Sequence, residues 1–394
     1  MKPSRWKRVA AGVLLPLMLA MFLTGCWDNK ELNELFIMTG MAMDVADSPG
    51  QVSVTVQSAN IKQGESGSAG SGPADGDSTI VLNTVGDSLL NCLSKINRDS
   101  NNKLLFQHNQ IRLFGIELAQ QGIKKHLDMI MRDQKARLEV PLVVVDGRAE
   151  AALTAELSQS PISGIYLGEM FEDLSEVSVK YRVRLIDFVQ QLLDDAAAPV
   201  LPIIKITGGT GEQEIKLDGM AVFHDDKMIG RLSNEEALGY IWSFGGVKSS
   251  NIEVRDGASR AGLYVAKLDC KREVTLRPDG GVRVSLTIDS VVQPAEVYGF
   301  KDMTPPELLQ HLEYLAQEEI KNRIAECYMI ARSMSADIFG FCTIVYKQYP
   351  KEWSQMKDRW DEVFADIDLN VEATVNIPAT GQIVQSLEME ENMK

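Results

Sequence analysis

The sequence has little of the material from which active sites are built. It contains four histidines, none of them in the H-E-x-x-H spacing of a helical zinc site, and it lacks the G-x-S-x-G of a serine hydrolase. The glycine-rich stretch TGGTGEQ at 207–213 lacks the Lys-Ser/Thr of a phosphate-binding loop. The four histidines are His108, His126, His224 and His311. We therefore predict a protein that is not an enzyme and that holds no metal or cofactor.

Two local clusters allow a functional interpretation beside a structural one. The stretch FHDDKMIG at 223–230 is compatible with a metal site, but acidic tetrapeptides between apolar runs are typical of turns. A stripe of large side chains at helical spacing is compatible with a ligand platform, but such stripes more often pack into a core. Its members are Trp353, Met356, Trp360 and Phe364.

Basic residues are also scarce. Lys and Arg number 40 against 55 Asp and Glu, and the formal net charge is −15. This charge argues against nucleic acid as a partner, because binding to phosphates needs a basic surface. Anionic lipid would repel such a protein across a Debye length of about 8–10 Å. Attachment to a membrane would therefore need an anchor.

The N-terminal residues predict such an anchor. Val9–Leu23 is an uncharged apolar run of fifteen residues that follows four basic residues and no acidic one. It is shorter than the roughly 20 residues of a membrane-spanning helix, and this order is typical of a secretory signal. An amphipathic core helix is the alternative, but the run has no polar face.

The predicted signal ends in Leu23-Thr24-Gly25-Cys26, which resembles the bacterial lipobox. In that motif the cysteine thiol receives diacylglycerol and the signal is then cut before it; a buried free cysteine is the alternative. We predict residues 1–25 as the signal peptide and Cys26 as the lipid attachment site, with a further N-acyl chain also possible in such anchors. Two or more acyl chains matter because one alone gives only marginal membrane binding.

Four cysteines follow Cys26, at wide separations and without a C-x-x-C pair. Their even number permits disulfides in an exported protein, but the chain is long enough to fold without them. We expect free, mostly buried thiols, although the sequence alone does not decide the pairing. They are Cys92, Cys270, Cys327 and Cys342.

The apolar pattern predicts an α+β fold that combines helices with mostly antiparallel sheet. The stretch APVLPIIKITGG at 198–209, with two prolines and a double glycine, indicates a domain break, and a further region begins near Lys267. We predict three domains behind the signal: 26–200, 201–265 and 266–394, the last with a long helix.

Individual elements follow from periodicity and capping signals. A hairpin is expected at Phe36–Ala46 and Gln51–Gln57, and helices are expected at 86–97, 117–132, 163–177 and 184–195. A capping box of Ser233 and Glu236 indicates that a helix begins after Ser233. Thr304 as N-cap, with Pro305 at N1 and Glu307 at N3, indicates the start of the long helix. Alternating apolar residues from Ile367 to Ile377 predict a final strand.

The predicted anchor lies close to the folded body. The first strand begins about nine residues beyond Cys26, and a chain reaches at most about 3.3–3.6 Å per residue. An acidic body held this near to lipid suggests a partner embedded in the same membrane.

The sequence resembles the C-subunit lipoproteins of spore germinant receptors (the GerC type). GCWDNKEL at 25–32 is similar to the mature start of that family, and similar stretches continue to VEATVNIPATGQI at 371–383. Between them lie HNQIRLFGIELAQQGI, RLEVPLVVVDGRAEAAL, DGMAVFHDDKMIGRLSNEEALGYIW and ADIFGFCTIVYKQYPKEWSQMKDRWDEVF.

The resemblance implies a three-domain α+β lipoprotein on the outer face of the inner membrane of the spore. It implies assembly with two integral-membrane subunits into a receptor that triggers germination when a nutrient binds. Cys26 is the one functional residue carried over; Trp27 and Asp28 match the motif without an assigned role.

Two other classes stand beside this one: a solute-binding lipoprotein would share the signal and anchor, and a wall-acting hydrolase would share the location. A solute-binding lipoprotein of a transporter would need a two-lobed parallel α/β body with a ligand cleft, and a wall-acting hydrolase would need a convergent catalytic site. Neighbouring genes would separate the three: two membrane proteins, an ATPase with a permease, or neither.

Overall fold

The computed structural model describes residues 35–59, 79–100, 103–134, 136–193, 196–209, 211–300 and 303–378. The predicted signal peptide, Cys26 and the Gly/Ser-rich stretch at 64–78 lie outside these ranges. The described residues combine helices with two sheets, which confirms the predicted α+β class.

Thirteen strands are present in the described residues. They are β1 Leu35–Val45, β2 Val52–Ala59, β3 Thr79–Gly86, β4 Lys103–Leu105, β5 Ile111–Gly115, β6 Leu142–Val145, β7 Val200–Thr207, β8 Glu214–His224, β9 Lys227–Leu232, β10 Ser250–Asp256, β11 Ser259–Leu276, β12 Val282–Tyr298 and β13 Asp368–Asn376.

Eleven α-helices are present in the same ranges. They are α1 Leu89–Asp99, α2 Ile116–Gln121, α3 Lys124–Arg132, α4 Ala149–Leu153, α5 Ser163–Val177, α6 Leu185–Leu192, α7 Asn234–Trp242, α8 Pro305–Ser333, α9 Phe341–Gln348, α10 Pro350–Met356 and α11 Trp360–Ala365. Short 3₁₀ turns occur at Phe106–His108, Val179–Tyr181 and Lys357–Arg359.

The first sheet has nine strands in the order β3-β2-β1-β5-β6-β7-β8-β9, with β4 paired to β1. Its centre is parallel: β1 pairs with β5, β5 with β6, and β6 with β7. Its flanks are antiparallel hairpins. The parallel centre is buried on both faces, as in β6, where all four residues of Leu142–Val145 are buried.

The second sheet has four strands in the order β10-β11-β12-β13. Its first three strands are antiparallel, whereas β12 and β13 are parallel. The long helix α8 covers this sheet with a buried face that includes Leu312, Ile320 and Ile324.

One of three hydrophobic clusters of the described residues joins the two sheets, and the other two lie against the first sheet. Val200 of β7 and Val222 of β8, in the first sheet, belong to the same buried cluster as Leu286 of β12 and Leu312 of α8. The first sheet runs across residue 200, and strand β11 runs across residue 265. The division into three domains stays a prediction. Strands β7 and β11 each continue across one of the two proposed boundaries.

Most of the predicted elements are confirmed. The β1–β2 hairpin is antiparallel, α5 spans 163–177 as predicted, and capping boxes are present at Ser233 and Thr304. The prediction of one helix at 117–132 is wrong, because Gly122, at φ 116°, separates α2 from α3. Among the described residues no cysteine forms a disulfide, and Cys92, Cys327 and Cys342 are buried, as expected.

Candidate functional site

The predicted lipid attachment residue, Cys26, lies outside the described residues. Within them, no cluster of three or more His, Cys, Asp or Glu side chains could hold a metal ion. Among the helices of the described ranges, none combines the length and apolar character needed to cross a bilayer.

The two clusters weighed from the sequence are structural. His224 and Asp226 flank Asp225, which has a φ of 49° in the turn between β8 and β9. The Asp226 carboxylate accepts a hydrogen bond from the backbone N–H of Lys124 at the start of α3. In the aromatic stripe, Met356, Trp360 and Phe364 are buried in the core. The Trp360 indole donates a hydrogen bond of 3.1 Å to Asp337.

A cleft lies between the two sheets. It encloses about 780 Å³. One wall comes from the 3₁₀ turn Val179–Tyr181 and α6; the opposite wall comes from the end of α7, from β11 and from residues 337–347. The cleft therefore joins segments that are far apart in the chain.

The lining of this cleft carries more cationic than anionic side chains, although the whole chain is acidic. Two carboxylates, Asp187 and Asp337, line it together with five cationic side chains. The cations are Lys180, Arg182, Arg184, Arg272 and Lys347.

Two of these cations are neutralised by ion pairs. Arg184 contacts Asp187 and Glu139 at 2.7 Å each, and Arg182 contacts Glu172 at 3.1 Å. The contacts of Arg184 hold the pKa of Asp187 below its usual value, although burial opposes that shift. Lys180 and Arg272 form no ion pair with a carboxylate in the described part of the chain.

Lys180 and Arg272 instead both contact one aromatic ring. Lys180 Nζ lies 3.3 Å from the centroid of the Phe244 ring, and Arg272 Cζ lies 4.4 Å from the same centroid. Such contacts stabilise a cation, but they leave hydrogen-bonding N–H groups unused. Burial, and then the nearby Arg272 charge, lower the pKa of Lys180 to about 8, while Asp187 opposes the shift.

Arg272 is held by the opposite wall. Its Nη2 donates to the carbonyl oxygen of Phe339, and its Cζ lies 5.3 Å from the Phe341 ring. Its Nε is buried and has no hydrogen-bond partner in the described part of the chain. Burial lowers the pKa of Arg272, and Asp337 opposes that shift.

Asp337 shapes this wall. It is 3% exposed, and its carboxylate accepts the backbone N–H groups of Phe341 at 3.1 Å and Cys342 at 2.8 Å, besides the Trp360 indole. Burial raises the pKa of Asp337 against these donors. Because its oxygens are occupied, Asp337 only partly offsets the Arg272 charge.

The sequence did not indicate this cleft. Lys180, Phe244 and Arg272 belong to no motif and are separated by whole secondary-structure elements. The one local signal is Phe244 followed by Gly245 and Gly246, both with a φ of 68°, which mark the sharp end of α7.

Comparisons with known proteins cover nearly the whole chain. Residues 28–206 match the family model described as "Spore germination protein N-terminal domain", and residues 218–381 match "Spore germination B3/ GerAC like, C-terminal". The chain is 24% identical to Spore germination protein KC of Bacillus subtilis (strain 168) over 93% of this chain and 95% of the relative. It is 19% identical to Spore germination protein GerQC of Bacillus cereus over 93% and 98%.

A solved structure has the same fold. The crystal structure of the GerBC protein aligns with a TM-score of 0.57 at 15% identity, covering 89% of this chain and 99% of that one. Since two family models together span residues 28–206 and 218–381, the chain belongs to the GerAC-like family of spore germination proteins.

Proposed function

We propose that this protein is the lipid-anchored C subunit of a nutrient germinant receptor and is needed for nutrient-triggered spore germination. The observation that carries this proposal is full-length similarity to spore germination proteins, with 93–97% of this chain covered by the first three curated relatives. A solute-binding lipoprotein of a transporter, the alternative from the sequence, has no such support.

The anchor in this proposal is Cys26, modified with diacylglycerol and in some cases an N-acyl chain. Strand β1 begins at Leu35, so the folded body would lie within roughly 30–35 Å of the lipid at 3.3–3.6 Å per residue. The protein would then sit on the outer face of the spore's inner membrane.

The partners in this proposal are two integral-membrane subunits of the same receptor. After loss of residues 1–25, which carry four basic residues, the net charge would be −19, so the body would not bind anionic lipid by itself. A lipid anchor and membrane-embedded partners would together hold it in place. We propose no catalytic step for the chain.

The test replaces the predicted acyl acceptor. In Cys26→Ala we expect an uncut precursor without lipid, loss of the protein from spore membranes and loss of germination in nutrient. Intact-mass spectrometry, membrane fractionation and the fall in optical density of spore suspensions measure these outcomes.

The matched control is Cys270→Ala, which removes a half-buried thiol in strand β11. This variant should remain lipidated and germinate normally. A Cys26→Ala protein that stays in the membrane and supports normal germination would overturn the proposed anchor.

A further inference from the structure

We propose that the cleft between the two sheets is a binding site for a small oxyanion, a carboxylate or a phosphate, bound by Lys180 and Arg272. This site is independent of the lipid anchor and of the proposed receptor role. Three observations carry the inference: the sign of the charge in the cleft, the unused donors of the two cations, and the shape of the cavity.

The first observation is the sign of the charge. Five cationic side chains and two carboxylates line the cleft, and Arg182 and Arg184 are paired with carboxylates. Among the described residues, no ion pair neutralises the three remaining cations, Lys180, Arg272 and Lys347, whereas the whole chain carries a net charge of −15. Local positive potential in an otherwise acidic protein concentrates anions at that place and excludes cations. An anionic ligand is therefore favoured.

The second observation is that two cations lie close together without a shared counter-ion. Lys180 Nζ and Arg272 Cζ both contact the Phe244 ring, at 3.3 and 4.4 Å from its centroid, so their separation cannot exceed the sum of those distances. Neither forms an ion pair with a carboxylate in the described ranges, and the buried Nε of Arg272 lacks a hydrogen-bond partner there. An oxyanion in the cleft within reach of both would accept hydrogen bonds from the N–H groups of both side chains.

The third observation is the cavity itself. About 780 Å³ is in the size range of ligand pockets rather than of a single bound water. Apolar surface from Phe244, Ile338 and Ile344 lines it beside the amides of Gln190 and Gln191. The ligand would therefore be a small molecule with an anionic group and room for an apolar or amide-bonded body.

The position of the site gives binding a structural consequence. Lys180 precedes α6, which packs on the first sheet, while Arg272 belongs to β11 of the second sheet. An oxyanion that contacts both would link the two sheets across the cleft. Ligand binding would thus stabilise one relative arrangement of the two halves.

The experiment uses the full chain, purified with its membrane anchor in detergent at pH 7 and low salt. Isothermal titration calorimetry is carried out separately with inorganic phosphate, acetate, glutarate and benzoate. We expect saturable binding of at least one probe, weakened by added NaCl. The phosphate and carboxylate arms show which oxyanion the site prefers.

Two variants locate the binding. Lys180→Met and Arg272→Met keep an apolar stem near Phe244 and remove the charge, and each should weaken binding by about tenfold or more, since a hydrogen bond to a charged group contributes about 1.5–3 kcal/mol. The matched control is Lys271→Met, on the same strand as Arg272, because Lys271 is exposed and pairs with Glu273 at 2.6 Å. The control should bind like the wild type.

The outcomes decide the proposal even if a variant fails to fold. Absence of saturable binding by the wild-type protein, with every probe weaker than about 10 mM, overturns it. Binding that Lys180→Met and Arg272→Met leave unchanged also overturns it. If either variant is unfolded by circular dichroism, Lys180→Arg, which keeps the charge, must retain the wild-type affinity, and a loss there contradicts the assigned role of the charge.

Discussion

His126 is a buried histidine that the proposed functions do not use. It lies on the inner face of α3 with 2% of its surface exposed, and its Nε2 has no hydrogen-bond partner in the described ranges. Burial, and then the nearby Lys125, lower the pKa of His126 to about 4, although Asp226 opposes the shift. The folded protein therefore holds this imidazole neutral at pH values where the unfolded chain protonates it.

The sign of the pH dependence follows from that difference. Between a pKa of 6.5 in the unfolded chain and about 4 in the folded protein, the unfolded state binds more protons, so stability falls as pH falls. The full effect is about 3 kcal/mol. We predict that His126→Leu loses less stability than the wild type between pH 7 and pH 4.5, measured by chemical denaturation.

Equal losses of stability in the wild type and in His126→Leu over this range would contradict the assignment.

At the residue scale, the sequence predicted local features and missed long-range ones. The turn at 223–230 and the capping residues Ser233 and Thr304 depend on neighbours within a few positions, and they are confirmed. The contacts of Lys180 and Arg272 with the same Phe244 ring depend on how the two sheets pack. No local sequence pattern predicts that packing.

Helices α7 and α8 approach each other at a glycine. A Cβ added to Gly239 of α7 would lie 2.7 Å from Cys327 Cβ and 2.8 Å from the Arg323 carbonyl carbon, both in α8. No side chain fits between the two helices at that point. The glycine therefore allows the backbone contact, even though glycine weakens a helix by about 1 kcal/mol relative to alanine.

This close approach gives a prediction at the scale of elements. Gly239→Ala should lower the free energy of unfolding by about 1–3 kcal/mol, because the overpacking outweighs the gain in helix propensity. Gly209→Ala is the control, since its added Cβ meets no atom within 4 Å. Thermal denaturation of both variants checks the difference, and a Gly239→Ala protein as stable as the wild type would refute the close packing.

Element positions were more predictable than their pairing. Alternation and turn residues located the β1–β2 hairpin and β13, because each carries its own apolar pattern. The parallel pairs of β1 with β5 and of β12 with β13 were not foreseen, since each joins strands that are distant in the chain. Strands such as β6 that are buried along their whole length also lack the alternation that reveals a register.

At the scale of the whole molecule, one hydrophobic cluster joins the two sheets, and the cleft between them has an excess of cationic side chains in an otherwise acidic protein. The family assignment rests on nearly the whole chain, from residue 28 to residue 381 with one short gap. The proposed arrangement adds a lipid anchor at Cys26 and two membrane-embedded partners. Its central claim is therefore a physical association at the spore's inner membrane.

The measurement that tests this claim most directly is affinity purification of the tagged full chain from detergent-solubilised spore membranes, followed by mass spectrometry. We predict that two different multi-spanning proteins co-purify in amounts comparable to the chain, and that a Cys26→Ala version captures much less of both. Recovery of the wild-type chain alone, as a monomer without either membrane protein, would contradict the receptor assembly.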